Sequence, residues 1–141
     1  MEVYVLKKEV PVFYVTVKAF PLGIIEAFET LEKMHPSVCD RPFYGIFYQD
    51  QNGKTIYKAA VEEAYKGEGE QYGCETSVIA KGRYLTERIF NYMDNIDSIP
   101  EAFQRLCASA QSHSDLPCIE WYKSNREVVC MIQLKPGKNL N

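Results

Sequence analysis

Histidine is scarce in this 141-residue chain, which holds only His35 and His113. They stand far apart and neither belongs to a metal motif such as H-E-x-x-H, so no metal site and no cofactor are expected. The five cysteines, Cys39, Cys74, Cys107, Cys118 and Cys130, are odd in number and contain no C-x-x-C pair. Neither a disulfide framework nor a zinc site follows; they read as reduced, mostly buried thiols of a cytoplasmic protein. A basic excess is also missing. The net charge is −3 and the pI about 5.4, which disfavours direct nucleic-acid binding. No apolar run approaches the roughly 18 residues of a membrane span. The start, Met1 to Val5, lacks the basic and apolar regions of a signal peptide. No phosphate-cradling glycine motif is present. No Ser-His or Cys-His pair stands in a recognisable setting, which argues against an enzyme without excluding a carboxylate-only mechanism.

What the chain has in quantity is aromatic surface: ten Tyr, seven Phe and one Trp. Such a load suits a large core or a binding surface built from flat, amphipathic side chains. The length is that of one domain with a proper core.

In chain order, residues 3–18 are rich in β-branched and aromatic types. They predict a strand from about Glu9, preceded by an extended arm. Pro11 places the early part at an edge or outside the ladder, and the exposed edge of the 3–12 arm makes a homodimer one expectation. Pro21 and Gly23 mark a turn. Ile24, Ile25, Phe28, Leu31 and Met34 recur at helical spacing over 22–35, with Glu26, Glu29 and Glu32 on the other side. His35-Pro36 closes that helix. Residues 41–48 predict a strand, Asn52-Gly53 a hairpin turn, and 55–63 its partner. Residues 65–73 read as an acidic, glycine-rich linker. Strands are predicted at 74–80 and 83–90, broken at Lys81-Gly82. Ser98, Pro100 and Glu101 form a helix start with a capping box, and Phe103, Leu106, Cys107 and Ala110 mark its buried face. A loop at 112–115, strands at 116–123 and 126–135, and a frayed tail after Pro136-Gly137 complete the chain.

The order is β-α-β-β, linker, β-α-β-β. Arg41-Pro42 overlays Leu116-Pro117, and 43–48 overlays 118–123. The expected fold is therefore α+β: one domain over 1–141, made of two repeats (about 9–64 and 74–136) around a pseudo-twofold axis. Antiparallel sheets would carry helices on one side, and the opposite faces would meet at a central ligand cleft.

The late strand carries the chemistry. Alternation puts Cys118, Glu120 and Tyr122 on one face and Ile119, Trp121 and Lys123 on the other. A lone carboxylate on an apolar, aromatic face is costly to bury without a purpose. Overlay of the halves sets Phe43, Gly45 and Phe47 against Cys118, Glu120 and Tyr122, so Gly45 leaves room opposite Glu120, with Phe47 and Tyr122 as walls. That arrangement favours a delocalised organic cation. Burial would also raise the Glu120 pKa and suit it to general acid or base work. Tyr57, Tyr14 and Tyr84 are further candidates whose faces alternation leaves open, and Glu87 is a weaker second acid. The plain alternative pairs Glu120 with Arg88 or Arg126 and merely pins the sheet. Trp121 is expected in the core beneath a helix.

The repeated β-α-β-β order, the hairpin strand Arg41-Pro42-Phe43-Tyr44-Gly45-Ile46-Phe47-Tyr48 and the segment Pro117-Cys118-Ile119-Glu120-Trp121-Tyr122 resemble the gyrase-inhibitor-like (GyrI-like) small-molecule-binding domain. This is the effector-binding module of multidrug-responsive transcription activators, which also occurs as a stand-alone protein. The resemblance covers about 9–136 and implies the duplicated fold. It implies a cleft for hydrophobic, cationic or aromatic small molecules, with Glu120 at its bottom and Tyr122 beside it. The alternatives it brings are a hydrolase of reactive electrophiles using Glu120 and an aromatic residue, or an inhibitor of a large enzyme such as gyrase. The segment Glu87 to Tyr92 lacks the His and Gly of the family's His-x-Gly-x-Tyr-like stretch. The closing Ile132-Gln133-Leu134-Lys135-Pro136 departs from its usual Ile-Pro-Val. No helix-turn-helix is left over, so any DNA-binding regulator would be a separate partner.

Overall fold

The computed structural model describes residues 1–110 and 116–134. The loop expected at 112–115 and the tail beyond 135 lie outside the described residues. The architecture is α+β. One antiparallel sheet holds β1 (Glu2–Leu6), β2 (Val10–Thr16), β3 (Phe43–Gln49), β4 (Thr55–Glu62), β5 (Glu75–Ile79), β6 (Gly82–Phe90), β7 (Cys118–Tyr122) and β8 (Glu127–Gln133). Three helices accompany it: α1 (Ile24–Glu32), α2 (Glu68–Gln71) and α3 (Ser98–Ala110). No helix among the described residues is long and apolar enough to cross a membrane.

The strand order is β1-β6-β8-β7-β3-β4-β2-β5, and the short links force this sheet to curl. β5 and β6 stand six strand positions apart, which in a flat sheet is about 29 Å. Yet only Ala80 and Lys81 join Ile79 to Gly82, a reach of at most about 11 Å. β1 and β2 are equally distant in the order and joined by residues 7–9 alone. The sheet answers by rolling into a half-barrel.

Alternation then divides its side chains. The inner face collects Val12, Tyr14, Tyr44, Ile46, Ala60, Ile79, Tyr84, Ile119, Val129 and Met131 in one cluster. The outer face carries two clusters. Phe13, Leu31, Tyr57, Ala59 and Val61 pack with α1, and Phe103, Leu106, Val128, Cys130 and Ile132 pack with α3. α1 lies on β2 and β4, and α3 on β6 and β8. The central strands β3 and β7 run between them.

Several expectations are revised. The N-terminal arm is itself a strand, β1, paired with β6 from Glu2↔Thr86 to Leu6↔Gly82. β2 is not an edge, because β5 covers it and Pro11 stands opposite Val78. Pro11 keeps its place because its carbonyl still accepts from Glu63. Ile25 belongs to the apolar spacing of α1 but is exposed; Ala27 and Leu31 carry the burial. Helix α1 ends at Glu32, and Pro36–Asp40 forms a separate 3-10 turn. Ser98 donates its hydroxyl to Asn95 O at 2.6 Å, while Glu101 N–H bonds Asp97 O, so the capping box is not formed. Trp121 is not beneath a helix. It points inward, stacks with Tyr44 and meets Tyr4 at a tilt. The helices also sit on the same face as Glu120, so Glu120 does not look out from the helix-free side of the sheet.

The supposed linker is structural. Glu68, at the start of α2, is 1% exposed. Both of its carboxylate oxygens accept from Arg41 at 2.8 Å, and they also accept from Ala64 N–H at 2.7 Å and Tyr72 Oη at 3.1 Å. Arg41 further donates to Glu62 O at 2.9 Å. The guanidinium beside it holds the Glu68 carboxyl below its ordinary range. That contribution to stability is present above the unfolded carboxylate pKa and lost as pH falls through the folded one. Removing one partner of such a pair strands the other. Glu68→Ala should lower unfolding free energy by about 3 kcal/mol in urea titration. The double replacement Arg41→Met with Glu68→Leu should cost markedly less, and equal losses would contradict the pairing.

Candidate functional site

β3 and β7 are neighbours, with Gly45↔Glu120, Phe43↔Tyr122 and Phe47↔Cys118 in register. β4 lies on the other side of β3, and its Tyr57 pairs with Phe47. Tyr57 therefore stands diagonal to Gly45, and its phenol leans over the glycine. Tyr57 Oη donates to Glu120 Oε1 at 2.5 Å, and Tyr122 Oη donates to the same oxygen at 2.9 Å. A β-carbon on residue 45 would collide with both the Tyr57 hydroxyl and Glu120 Oε1. The space opposite Glu120 exists as the overlay of the halves suggests, but the Tyr57 phenol fills it.

Glu120 is 8% exposed. Its second oxygen, Oε2, accepts no hydrogen bond from the described residues, yet it is not sealed from solvent. No cation pairs with Glu120 among them, because Arg88 is taken by Glu127 at 2.6 Å. Pinning of the sheet through Arg88 or Arg126 is thus not what holds this carboxylate. Burial pushes its pKa up, against the lowering effect of the two tyrosine hydroxyls. Tyr57 and Tyr122 are raised as well, first by burial and then by the neighbouring Glu120, which keeps both as donors.

Aromatic rings enclose this centre. Tyr57 is sandwiched between Phe20 and Phe47, with centroids at 5.5 and 6.0 Å and planes 16° and 8° apart. Phe28, from α1, meets Tyr57 and Tyr122 edge-on and tilts against Phe43. Tyr92 meets the edge of Tyr122, and Phe103 from α3 that of Phe47. Phe28, Phe43, Phe47 and Tyr122 are half-buried, so part of the ring surface around the buried acid is exposed.

The structure brings together Glu120, Tyr122, Tyr57, Phe47, Phe43 and Gly45. It places Tyr14 and Tyr84 on the opposite, inner face, where Tyr14 donates to Glu75 at 2.8 Å and Tyr84 to Ala80 O at 2.5 Å. Glu87 pairs with Arg105, which holds its carboxyl below the ordinary range, so it is no second acid for this recess. Burial pushes the Cys118 and Cys130 thiols up to about 12, which leaves them poor nucleophiles near neutrality. No group of three or more His, Cys, Asp or Glu suited to a metal occurs among the described residues. Phe20, Phe28, Tyr92 and Phe103 went unnoticed as site residues. Phe28 and Phe103 do lie in helical apolar stripes, but a stripe signals burial and not what the buried ring faces. Phe20 and Tyr92 sit in turns, where no periodicity reports them.

No protein-family model and no curated protein matches the chain. Solved structures do. An integron cassette protein from the mobile metagenome of Vibrio cholerae superposes with a TM-score of 0.65 at 16% identity, covering 95% of each chain. A protein solved with bound tetraphenylphosphonium gives 0.64 at 12%, covering 94% of each. A Staphylococcus aureus protein described under bacterial transcription regulation gives 0.58 at 12%, covering 94% of this chain and 97% of its own. At such identities the likeness establishes a shared fold and no more.

Two expectations test the geometry. Gly45→Ala should destabilise the protein by about 1–3 kcal/mol and break the Tyr57–Glu120 bond, read as a denaturant midpoint and as a shifted Glu120 carboxyl titration by NMR. Because the folded pKa of Glu120 is raised, its contribution is present below the unfolded value and lost as pH rises through the folded one. The stability of wild type relative to Glu120→Gln should therefore fall as pH climbs from about 4. A flat difference would contradict the burial argument.

Proposed function

We propose that this chain is a GyrI-like module that binds lipophilic organic cations in the recess between α1 and α3, with Glu120 Oε2 facing the positive charge. The observation that carries the reading is the carboxylate itself. It is buried and ringed by aromatic side chains, one oxygen is held by two tyrosines, and the other is unbonded and without a cationic partner. A fixed cation of the protein would have satisfied it; a mobile one from outside can. Coulomb attraction strengthens where water is excluded, and ring faces add cation–π attraction for a diffuse charge. Phe28, Phe43, Phe47, Tyr57 and Tyr122 would form the walls, and Gly45 lets Tyr57 reach its place. The neighbour solved with tetraphenylphosphonium supports the same ligand class.

In this reading the segments β2-α1-β3-β4 and β6-α3-β7-β8 are two copies of one unit, and the recess lies where they join. The protein senses or sequesters its ligand, and the neighbour described under transcription regulation fits a sensing role.

Binding and ionisation are then coupled. A cation favours the carboxylate, so it lowers the pKa that burial has raised and expels a proton. Calorimetric titration with tetraphenylphosphonium should show saturable binding that tightens as pH rises, with proton release revealed by buffers of different ionisation enthalpy. Glu120→Gln should weaken it about tenfold or more and abolish the pH dependence. Triphenylphosphine oxide, similar in bulk and neutral, should not distinguish the two proteins. Equal affinity of wild type and Glu120→Gln for tetraphenylphosphonium would refute the assignment.

A further inference from the structure

The rolled sheet has a second concavity, on the face away from Glu120. At the end of the half-barrel where β5 turns into β6, a cavity of about 200 Å³ opens between Ile46, Ile79, Ile119, Tyr84, Gln133 and Lys58. Barrel mouths are common ligand positions, and this volume suits a ligand of fragment size. Its walls are mainly aliphatic. Among the described residues its one cation is Lys58, held against two tyrosine rings. The ammonium lies 4.4 Å from the centroid of the Tyr14 ring and 5.2 Å from that of Tyr48. No carboxylate stands within ion-pair distance of it among the described residues. Glu75, the acid of the adjoining edge strand, is engaged by the Tyr14 hydroxyl at 2.8 Å.

We propose that this inner cavity is a second binding site, for small monocarboxylates with an apolar body. The aliphatic walls would take the body, and Lys58 would take the carboxylate, whose charge its tyrosine neighbours do not neutralise. The site is separate from the Glu120 recess although both use the same strands. In β4, β3 and β7 the residues Lys58, Ile46 and Ile119 face inward, one position along from Tyr57, Gly45 and Glu120, which face outward. The two faces select opposite charges.

The test uses benzoate, followed by NMR of isoleucine δ-methyl groups in the full chain. Saturable shifts of Ile46, Ile79 and Ile119 are expected. They should weaken about tenfold in Lys58→Met, which keeps an apolar stem, survive in Lys58→Arg, and persist in Glu120→Gln. Benzylamine, of like shape and opposite charge, should leave these methyls unmoved. The site is overturned if benzoate gives no saturable shift at the three methyls, if Lys58→Met binds as wild type does, if benzylamine binds equally, or if the response requires Glu120. Matching spectra of the free variants and wild type establish that any loss is not unfolding.

Discussion

Two short links govern this molecule. Ala80-Lys81 and residues 7–9 each join strands that the pairing order sets at opposite sides of the sheet. Chain of that length cannot span a flat sheet of this width. The roll that results creates an inside, filled by one cluster of apolar side chains, and an outside on which two helices sit apart. Rings from both helices, Phe28 and Phe103, reach over the outer face of β3 and β7. The aromatic recess that holds Glu120 is thus a matter of connectivity as well as of side chains.

Within that recess one missing β-carbon sets the chemistry. Gly45 allows a phenol from the next strand to cross over and bond a carboxylate from the strand beyond. Three strands are tied through one oxygen, and the second oxygen is left for another partner. A buried acid would normally call for a lysine or arginine. Arginines do occur on the neighbouring strand and helix, but Arg88 and Arg105 are spent on Glu127 and Glu87. One oxygen of the Glu120 carboxyl keeps no hydrogen-bond partner among the described residues, a poor arrangement for stability.

Much of this was legible in the residues. Strands β3, β4, β7 and β8 declared themselves by alternation and by the Asn52-Gly53 turn, where Gly53 takes a positive φ of 78°. Overlaying the halves set Gly45 opposite Glu120, which is their register. What could not be read was the third dimension of the sheet. Alternation says that Tyr14 and Phe13 face opposite ways, but not which of them faces Glu120. That depends on which strands become neighbours. The linker at 65–73 misled for another reason. Its glycines and acids look like solvated chain, and only Arg41, distant in sequence, makes Glu68 a buried residue. Trp121 is expected beneath a helix because it points away from Glu120 on the same strand; it does point away, but the helices lie on the Glu120 face and the roll of the sheet supplies the cover.

The exchange of outer strands has a consequence for how the chain assembles. Among the described residues β1 pairs with β6 alone, where Glu2 meets Thr86, and β2 is not covered on its outer side until β5 arrives. The N-terminal half therefore cannot finish its sheet alone. Native pairing of β1 waits on residues about eighty positions further along the chain, so its closure is a long-range event.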